Sequence, residues 1–282
     1  MGKLYDEVYL GTKEQFAVKL EMLAQMAQPE NWSFGKDKMN DPYKILRNYF
    51  AHTYNRLSEE GKILASSDGN YRCMNTGLLT IYNQEIIAVF SRSRVEGKLP
   101  WHFNGFFKES NRQFTNYFPS IPEMANYFED PSELIFNKKL DIKMFKEHII
   151  DDNYDRFCDA GYTEKGMIDL MLDSAKQTLY KKLHRNYKIA LPFYYTNTET
   201  NESKIQLLVP LYFPGAPVRL ALVLNKVCNE NTEYYEAVTV LPVEWAYMNS
   251  RLIVKPDEEW AKIIESYNTV ELENQEILVD ES

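Results

Sequence analysis

The stretch that decides the fold lies in the last third of the chain, where residues 205–227 read IQLLVPLYFPGAPVRLALVLNKV. Within it, Leu220–Leu224 is apolar throughout, which is typical of a central strand covered on both faces. Turn-forming Pro and Gly residues separate this run from the apolar run before it. The stretch therefore predicts two strands, Ile205–Phe213 and Leu220–Val227.

Further strands are predicted on both sides of this stretch, because β-branched and aromatic residues cluster there between turn signals. Two of them pair around a turn at Asn83-Gln84. The predicted strands are Met74–Tyr82, Glu85–Phe90, Trp101–Phe107, Tyr187–Tyr195 and Tyr235–Leu241.

Helices are predicted mainly towards the N-terminus, where capping signals precede apolar residues at helical spacing. Thr12 and Gln15 form a capping-box pattern, and Pro29 stops the run behind them. Asp41-Pro42 predicts the start of a second helix, which runs to about Glu60 and ends at Gly61.

Four weaker signals predict helices in the second half of the chain. Asp141 is expected to cap a short helix that ends near His148, and Pro242 and Pro256 each precede another. Thr163 is expected to cap a longer helix with an apolar stripe of Met167, Leu170, Met171, Leu179 and Leu183.

Strands and helices come in clusters and do not alternate strictly, which favours an α+β fold with a mixed, largely antiparallel sheet packed with helices. No linker divides the chain, so we expect a single large domain over residues 1–268, with an N-terminal helical part at about 12–61. Residues 269–282 form an acidic C-terminal tail, in which Glu271–Ser282 holds five acids and no base.

Composition excludes several classes of protein. The 282 residues include 44% hydrophobic ones, so the chain is globular and not disordered. No apolar run approaches the roughly 18 residues that a membrane span needs, and three scattered cysteines fit a reducing cytoplasm. With 32 Lys+Arg against 41 Asp+Glu, the net charge of −9 argues against broad duplex binding but allows a local basic groove. The acidic surface could also face a protein partner.

The first candidate site lies on the helix predicted after Asp41. Asn48, His52 and Arg56 are spaced i, i+4 and i+8, so they lie along one side of it, and Lys62 follows. Either this is the solvated face of an amphipathic helix, or it lines a cleft in which His52 exchanges a proton and Arg56 binds an oxyanion.

The second candidate is Asn75-Thr76-Gly77, at a junction between loop and strand. A glycine there permits a bulge or a close backbone approach. Asn75 and Thr76 could then donate hydrogen bonds to a ligand, and the alternative is an ordinary turn.

The third candidate is a polar cluster that begins at His148. With Asp151, Asp152 and Asp155 it could hold a divalent metal ion, or the carboxylates could cap helices and pair with Arg156. A regular calcium loop is excluded, because Arg156 stands where that loop needs glycine.

The remaining candidates are basic. Arg185, Asn186 and Lys188 end the most basic stretch of the chain, beside tyrosines, which suits phosphates and stacked bases. The alternative is that these cations complement the dipole of the preceding helix. Asn249 and Arg251 interrupt an apolar run, and a buried arginine there would need an anionic partner.

As a set, these motifs resemble the domain of unknown function 3825 family from about Pro29 to about Trp260. The matching pieces, in chain order, are Leu46-Arg47-Asn48-Tyr49 with Thr53, Arg56 and Leu57, Glu60-Gly61-Lys62-Ile63, Asn75-Thr76-Gly77-Leu78, His148-Ile149 with Asn153 and Arg156, Arg185-Asn186-Tyr187-Lys188, Leu207-Leu208-Val209-Pro210-Leu211, Ala221-Leu222-Val223-Leu224, and Ala246-Tyr247-Met248-Asn249 with Arg251. Similar domains are joined in some bacterial proteins to LOTUS-type or cold-shock RNA-binding domains, so the resemblance implies work on RNA or nucleotides.

Two functions are therefore expected. The first is a protein that handles nucleotide or RNA phosphates, as an RNA-processing enzyme in which a His/Arg/Asn cleft converges and His52 or His148 is the acid or base. The alternative is a non-catalytic module that binds RNA, a nucleotide or a protein. The sequence leaves the cofactor undefined.

Overall fold

The structure is a computed structural model, and it describes residues 3–34, 40–197, 202–229, 232–256, 260–264 and 266. The chain divides into two compact units, residues 1–126 and 127–282, and each contains a mixed, mostly antiparallel five-stranded sheet. The predicted α+β class is confirmed. The single domain over residues 1–268 stays a prediction, and the acidic tail lies outside the described residues.

Unit 1 begins with helices and continues with a β-meander. Its elements are α1 (Lys3–Glu7), β1 (Val8–Tyr9), α2 (Lys13–Met26), α3 (Lys44–Glu59), β2 (Leu64–Ala65), β3 (Tyr71–Leu79), β4 (Glu85–Arg92), β5 (Trp101–Lys108) and α4 (Arg112–Thr115).

The sheet of unit 1 has the strand order β1-β5-β4-β3-β2, in which β1 and β5 are parallel and the other neighbours antiparallel. One face carries an aromatic core in which Phe50 of α3 packs on Phe103 and Phe106 of β5 at centroid distances of 5.4 and 5.3 Å. On the other face, Phe114 and Phe118 cover the middle of β3 and β4. Helices therefore cover one face of the sheet, and a short helix covers part of the other.

Unit 2 has a short strand and three helices first, then four longer strands and a last helix. Its elements are a 3₁₀ turn at Pro131–Leu134, β6 (Ile142–Lys143), α5 (Lys146–Asp152), α6 (Tyr154–Asp159), α7 (Lys165–Leu183), a 3₁₀ turn at Tyr187–Ile189, β7 (Leu191–Thr196), β8 (Ser203–Pro210), β9 (Leu220–Asn229), β10 (Thr232–Pro242) and α8 (Val243–Ser250).

The sheet of unit 2 has the order β6-β10-β9-β8-β7, with β6 and β10 parallel. Leu220–Leu224 is fully buried at its centre, as its apolar run predicted. Leu222 and Leu224 face the core that α7 covers, whereas Ala221 and Val223 face a second cluster with Ala246 of α8. Burial on both faces is the reason why this strand lacks polar alternation.

Several sequence predictions are confirmed in detail. Thr12 and Gln15 form both bonds of the capping box, and α2 follows with Phe16 and Leu20 buried. Gly61, at φ +66°, directly follows the C-cap of α3. Pro242 immediately precedes α8. Local signals, a capping box, a glycine at positive φ and a proline, were sufficient at these three places because they act on neighbours in sequence.

Other helix starts were predicted at the wrong residue. α3 begins at Lys44 without a side-chain cap, because the Asp41 carboxylate instead binds Arg47. Asp141 precedes the short strand β6, which pairs with β10, and the helix that holds His148 starts later, at Lys146. A side chain of the helix itself took the place of the cap at Asp41, and pairing with a strand far along the chain did so at Asp141.

The start and the buried stripe of α7 also differ from the prediction. Glu164, and not Thr163, is the N-cap and accepts hydrogen bonds from two backbone N–H groups. Met167 and Leu170 are exposed, whereas Leu179 is buried. The buried side of the helix is instead formed by Ile168, Leu172, Ala175, Leu179 and Leu183.

The strand predicted over residues 187–195 starts only at Leu191, after the 3₁₀ turn. For the helix predicted after Pro256, residues 260–264 are helical and 257–259 lie outside the described residues. In the part of the chain that the structure describes, no helix combines the length and the apolar character needed to cross a membrane.

Candidate functional site

Arg56 and Lys62, two of the predicted phosphate ligands, meet at one carboxylate. Arg56 Nε donates to Glu60 Oε1 at 2.6 Å, and Lys62 Nζ lies 2.9 Å from Glu60 Oε2. The backbone N–H of Asn126 donates to the same carboxylate at 3.0 Å, and the Asn126 carbonyl accepts from Arg56 at 2.8 Å. This arrangement, the Glu60 cluster, ties the segment around Asn126 to the end of α3.

Electrostatics within the Glu60 cluster are consistent with a structural role. Glu60 is only 12% exposed at its side chain, and the pKa of Lys62 is raised, chiefly by its hydrogen bond to Glu60. Lys62 also donates to the Met124 carbonyl at 3.1 Å. Arg56 and Lys62, which were predicted to bind a phosphate, are thus paired with Glu60 and stabilise the fold of unit 1.

Asn48 and His52 lie on the same side of α3, as their spacing predicted. Asn48 Nδ2 is buried and has no hydrogen-bond partner among the residues that the structure describes. Desolvation lowers the pKa of His52, although its side chain keeps access to solvent. This face therefore combines an unused amide donor with an imidazole that favours its neutral form.

Asn75-Thr76-Gly77 lies inside β3 and not at the predicted junction between loop and strand, and the register with β4 shifts beyond Asn75, which agrees with the bulge that the glycine permits. Gly77 has φ +72°, and a Cβ atom there would lie 2.7 Å from the hydroxyl of Tyr49, which donates to the Thr76 carbonyl. Asn75 is buried and donates to Glu85 and to the Pro122 carbonyl, while the Thr76 hydroxyl donates to Ile86. The side chains of Asn75 and Thr76 therefore form their hydrogen bonds with partners in unit 1.

In unit 2, Arg156 lies in a cluster of neutral partners. Its Nη1 donates to Asn153 Oδ1 at 2.7 Å, to Thr239 Oγ1 at 3.0 Å and to the Val240 carbonyl at 2.6 Å. Asn153 is itself buried and donates to the Ile149 carbonyl. Arg156 is half-buried, and it forms no salt bridge within the described ranges.

Trp245 of α8 completes the surroundings of Arg156. The guanidinium carbon lies 6.0 Å from the centroid of its ring, and the side chain is 47% exposed. Trp245 is not recognisable from the sequence as a site residue, because an isolated tryptophan in an apolar run resembles a core residue. Thr239 is not recognisable either, because it is distant in sequence and reaches Arg156 through the bulge after Ala237 in β10.

His148 is exposed on α5, and the structure does not assemble a metal site around it. Asp151 pairs instead with Lys165 at 2.7 Å, and Asp152 and Asp155 are exposed. Within the described ranges, no group of three or more His, Cys, Asp or Glu side chains is placed to hold a metal ion.

The basic stretch at the end of α7 forms an exposed surface, which we call the 181–188 surface: Lys181, His184, Arg185, Tyr187 and Lys188. Arg185 Nη1 donates to the Lys181 carbonyl at 2.7 Å, which satisfies a helix-end carbonyl as the dipole alternative predicts. Asn186 caps the following 3₁₀ turn. Lys181, Arg185 and Lys188 form no salt bridge with a described carboxylate.

Asn249 and Arg251 lie at the end of α8, and both are half-buried rather than buried.

The predicted ligands are divided between the two units. Asn48, His52, Arg56, Lys62, Asn75 and Thr76 belong to unit 1, and His148, Arg156, Arg185, Asn186, Lys188, Asn249 and Arg251 to unit 2. Their convergence on one cleft stays a prediction.

The fold and these clusters define an α+β protein built from two units, each around a mixed five-stranded sheet. Residues 23–260 match the family described as Domain of unknown function (DUF3825), and the chain belongs to this family. The resemblance that the sequence motifs indicated is thereby confirmed. No curated protein and no solved structure matches the chain.

Proposed function

We propose that the protein binds the phosphate groups of a nucleotide or of single-stranded RNA, and that unit 2 carries the binding surface. The observation that supports this most directly is Arg156, a half-buried cation with neutral partners and an exposed aromatic ring beside it.

The partners of Arg156 fix its orientation without neutralising it. A guanidinium group keeps its charge at any physiological pH and has five N–H donors. Nη1 binds Asn153, Thr239 and Val240, while Nε and Nη2 have no hydrogen bond within the described ranges. Two donors on one edge of a fixed guanidinium suit the paired oxygens of a phosphate.

Trp245 supplies the second feature of a nucleotide-binding site, which is a surface for the base. Its exposed indole can stack on a base, and such stacking contributes about 1–3 kcal/mol per base. A phosphate on Arg156 and a base on Trp245 would thus be recognised by adjacent groups.

The 181–188 surface adds electrostatic attraction. Lys181, Arg185 and Lys188 are exposed and have no carboxylate partner in the described part of the chain, and Tyr187 beside them in sequence is 51% exposed. Because single-stranded nucleic acids are bound by cations interspersed with aromatic rings, this composition suits a flexible strand better than a rigid duplex.

The immediate partners of Arg156 favour binding over catalysis. They are an amide, a hydroxyl and a carbonyl, and none of these exchanges a proton at neutral pH. An RNA-processing enzyme is the second candidate function, which His52 supports because its lowered pKa favours the neutral base. The cytoplasm is the proposed location, in keeping with three free cysteines.

Fluorescence offers a direct test of binding. Of the four tryptophans, Trp32, Trp101 and Trp260 are buried, so Trp245 alone is exposed and reports on its own surface. We expect adenosine and uridine nucleotides and single-stranded RNA to quench this signal. Because variants of Trp245 lack this reporter, their affinity is followed by the anisotropy of fluorescein-labelled RNA. Trp245→Ala should weaken RNA binding by about tenfold, and Trp245→Phe should retain most of it. Unchanged affinity in Trp245→Ala, with the fold intact, would contradict the proposal.

The catalytic candidate needs a separate experiment. Labelled RNA and nucleotides are incubated with the protein, with and without Mg²⁺, and the products are separated by electrophoresis. Binding without product formation supports a binding module. Product formation that His52→Gln abolishes, while RNA affinity is retained, would establish the enzyme instead.

A further inference from the structure

One row of side chains crosses the sheet of unit 1 on a single face. Tyr9 of β1 is paired with His102 of β5, His102 with Ser91 of β4, and Ser91 with Tyr71 of β3. Side chains of directly paired residues lie on the same face of a sheet. The row ends at Tyr117, whose ring stacks on Tyr71 at a centroid distance of 4.0 Å.

This aromatic row is accessible. Tyr9 is 50% exposed, Tyr117 is 40% exposed, and His102 is exposed, whereas their neighbours Val8 and Trp101 face the core. Farther along the same face, Phe114 and Phe118 cover Cys73, Ile87 and Val89. The cover therefore reaches the row only at Tyr71 and Tyr117, and among the described residues Tyr9 and His102 at the other end stay exposed.

Polar groups hold the centre of the row in place. Asn104 is the additional residue of a bulge in β5, opposite the step from Val89 to Phe90. Its Oδ1 accepts from the Ser91 hydroxyl at 2.8 Å and lies 3.3 Å from His102 Nδ1. The rings of Tyr9 and His102 lie 5.8 Å apart and are tilted by 41°.

A cationic loop adjoins the row. The connection from β4 to β5 begins after Arg92 and ends before Trp101, one residue beyond Ser91 and His102 of the row, and the backbone N–H of Ser93 donates to the Pro100 carbonyl at 2.8 Å to close it. It carries Arg94 and Lys98 against one acid, Glu96. Both cations are exposed, and neither forms a salt bridge within the described ranges. Arg92, the last residue of β4, pairs with Trp101 and therefore lies on the opposite face of the sheet.

We infer that this face of unit 1 is a second binding surface for single-stranded RNA, on which bases stack along Tyr9 and His102 and phosphates contact the cationic loop. Aromatic rings that lie across an open sheet face accept bases without sequence preference, and nearby cations accept the backbone. Asp68 lies near Tyr117 and adds negative charge at that end of the row. We therefore expect the RNA to bind at the other end, on Tyr9 and His102.

The inference takes its ligand class from the proposed function, but it uses different residues in a different unit. The probe is a fluorescein-labelled, single-stranded RNA decamer of mixed sequence, bound to the full chain and followed by anisotropy. The double change Tyr9→Ala with His102→Ala should raise the Kd for this RNA by about tenfold. The double change Arg94→Ala with Lys98→Ala should make the fall of log affinity with log salt concentration less steep. The slope should change by about 1.4, which is about 0.7 for each lost phosphate contact.

Two control variants separate this effect from general damage. Tyr9→Phe keeps the ring and should bind RNA like the wild type. Tyr82→Ala removes a 78% exposed tyrosine from the turn at the opposite end of the β3–β4 hairpin, and it should leave affinity unchanged. Circular dichroism and the melting temperature confirm that each variant is folded.

The outcomes distinguish the two proposals. If Trp245→Ala weakens RNA binding but neither pair of changes in unit 1 does, the second surface does not exist and the proposed function stands. If only the changes in unit 1 weaken binding, the inference stands and the unit 2 surface fails. No RNA binding by the wild type, or a dimer that Tyr9→Ala disrupts without any effect on RNA, overturns the inference.

Discussion

The sequence gathers cations at two places, residues 56–62 in unit 1 and residues 181–188 in unit 2, and the structure uses them differently. At the first place, Glu60 binds both Arg56 and Lys62. At the second, Lys181 and Lys188 point to solvent without a described carboxylate partner. Similar residue types thus stabilise the fold in one unit and leave positive charge for a ligand in the other.

The local sequence explains this difference. Glu59 and Glu60 follow Arg56 by three and four residues, so they lie beside it on the same helix. Residues 180–190 contain no acid. A cluster of cations is therefore a better indication of a binding surface when the neighbouring sequence lacks acids at helical spacing.

The largest expected effect tests the structural half of this comparison. Glu60→Ala leaves two partly buried cations and the Asn126 N–H without their common acceptor, so the free energy of unfolding should fall by roughly 3 kcal/mol in urea titrations. Glu123→Gln is the matched control. Its carboxylate lies 3.6 Å from Lys62 but is 79% exposed, and the change should be nearly neutral. Equal effects of the two changes would refute the structural role of the Glu60 cluster.

A slightly smaller effect is expected at the bulge of β3. Gly77→Ala places a Cβ atom 2.7 Å from the Tyr49 hydroxyl at a positive φ, which should cost about 2 kcal/mol of unfolding free energy. Gly215→Ala in unit 2 shares the positive φ, at +69°, but meets no atom within 4 Å. It should cost about half as much, since only the backbone strain remains. Thermal unfolding of both variants checks the difference.

Charge reversal in unit 2 should affect binding and not stability. Lys181→Glu with Lys188→Glu is expected to weaken single-stranded RNA binding by about tenfold at low salt, with little change in unfolding free energy. Arg56→Ala should show the opposite pattern, because Arg56 is bound to Glu60 and Asn126. Loss of RNA binding in Arg56→Ala alone would reverse the assignment of the two clusters.

The smallest expected effect concerns pH. The pKa of His52 is lowered in the folded protein from its ordinary value of 6.5, so the unfolded chain binds more protons between the lowered value and 6.5. The stability that this group contributes is present above pH 6.5 and is lost as the pH falls through that window. His52→Gln should therefore lower the dependence of the melting temperature on pH below neutrality. An identical dependence in the variant would show that the ring is fully hydrated.

Much of the local structure was predictable from the sequence, because the interactions involve neighbours. Thr12 and Gln15 cap α2, Gly61 follows the end of α3, and the apolar run at Leu220–Leu224 forms a central strand. Asp141 was assigned wrongly because the strand after it pairs with β10, far along the chain. The division of the strands into two sheets was not predicted, since strand pairing at long range leaves no local signal.

For the candidate site, the sequence identified Arg156 but not the groups that orient it. Thr239 is 83 residues away, and the bond that joins them depends on how β10 packs against α6. The aromatic row was missed for the same reason, because Tyr9 and His102 are adjacent only through the pairing of β1 with β5.

The sequence by itself determined the family, the α+β class, most strands, the cap of α2 and the end of α3, because periodicity and caps act over a few residues. Only the tertiary structure decided which cations are neutralised, which aromatic rings are exposed and which side chains share one face of a sheet. These properties depend on contacts between distant residues, and it is these contacts that distinguish a charge that stabilises the fold from one that remains for a ligand.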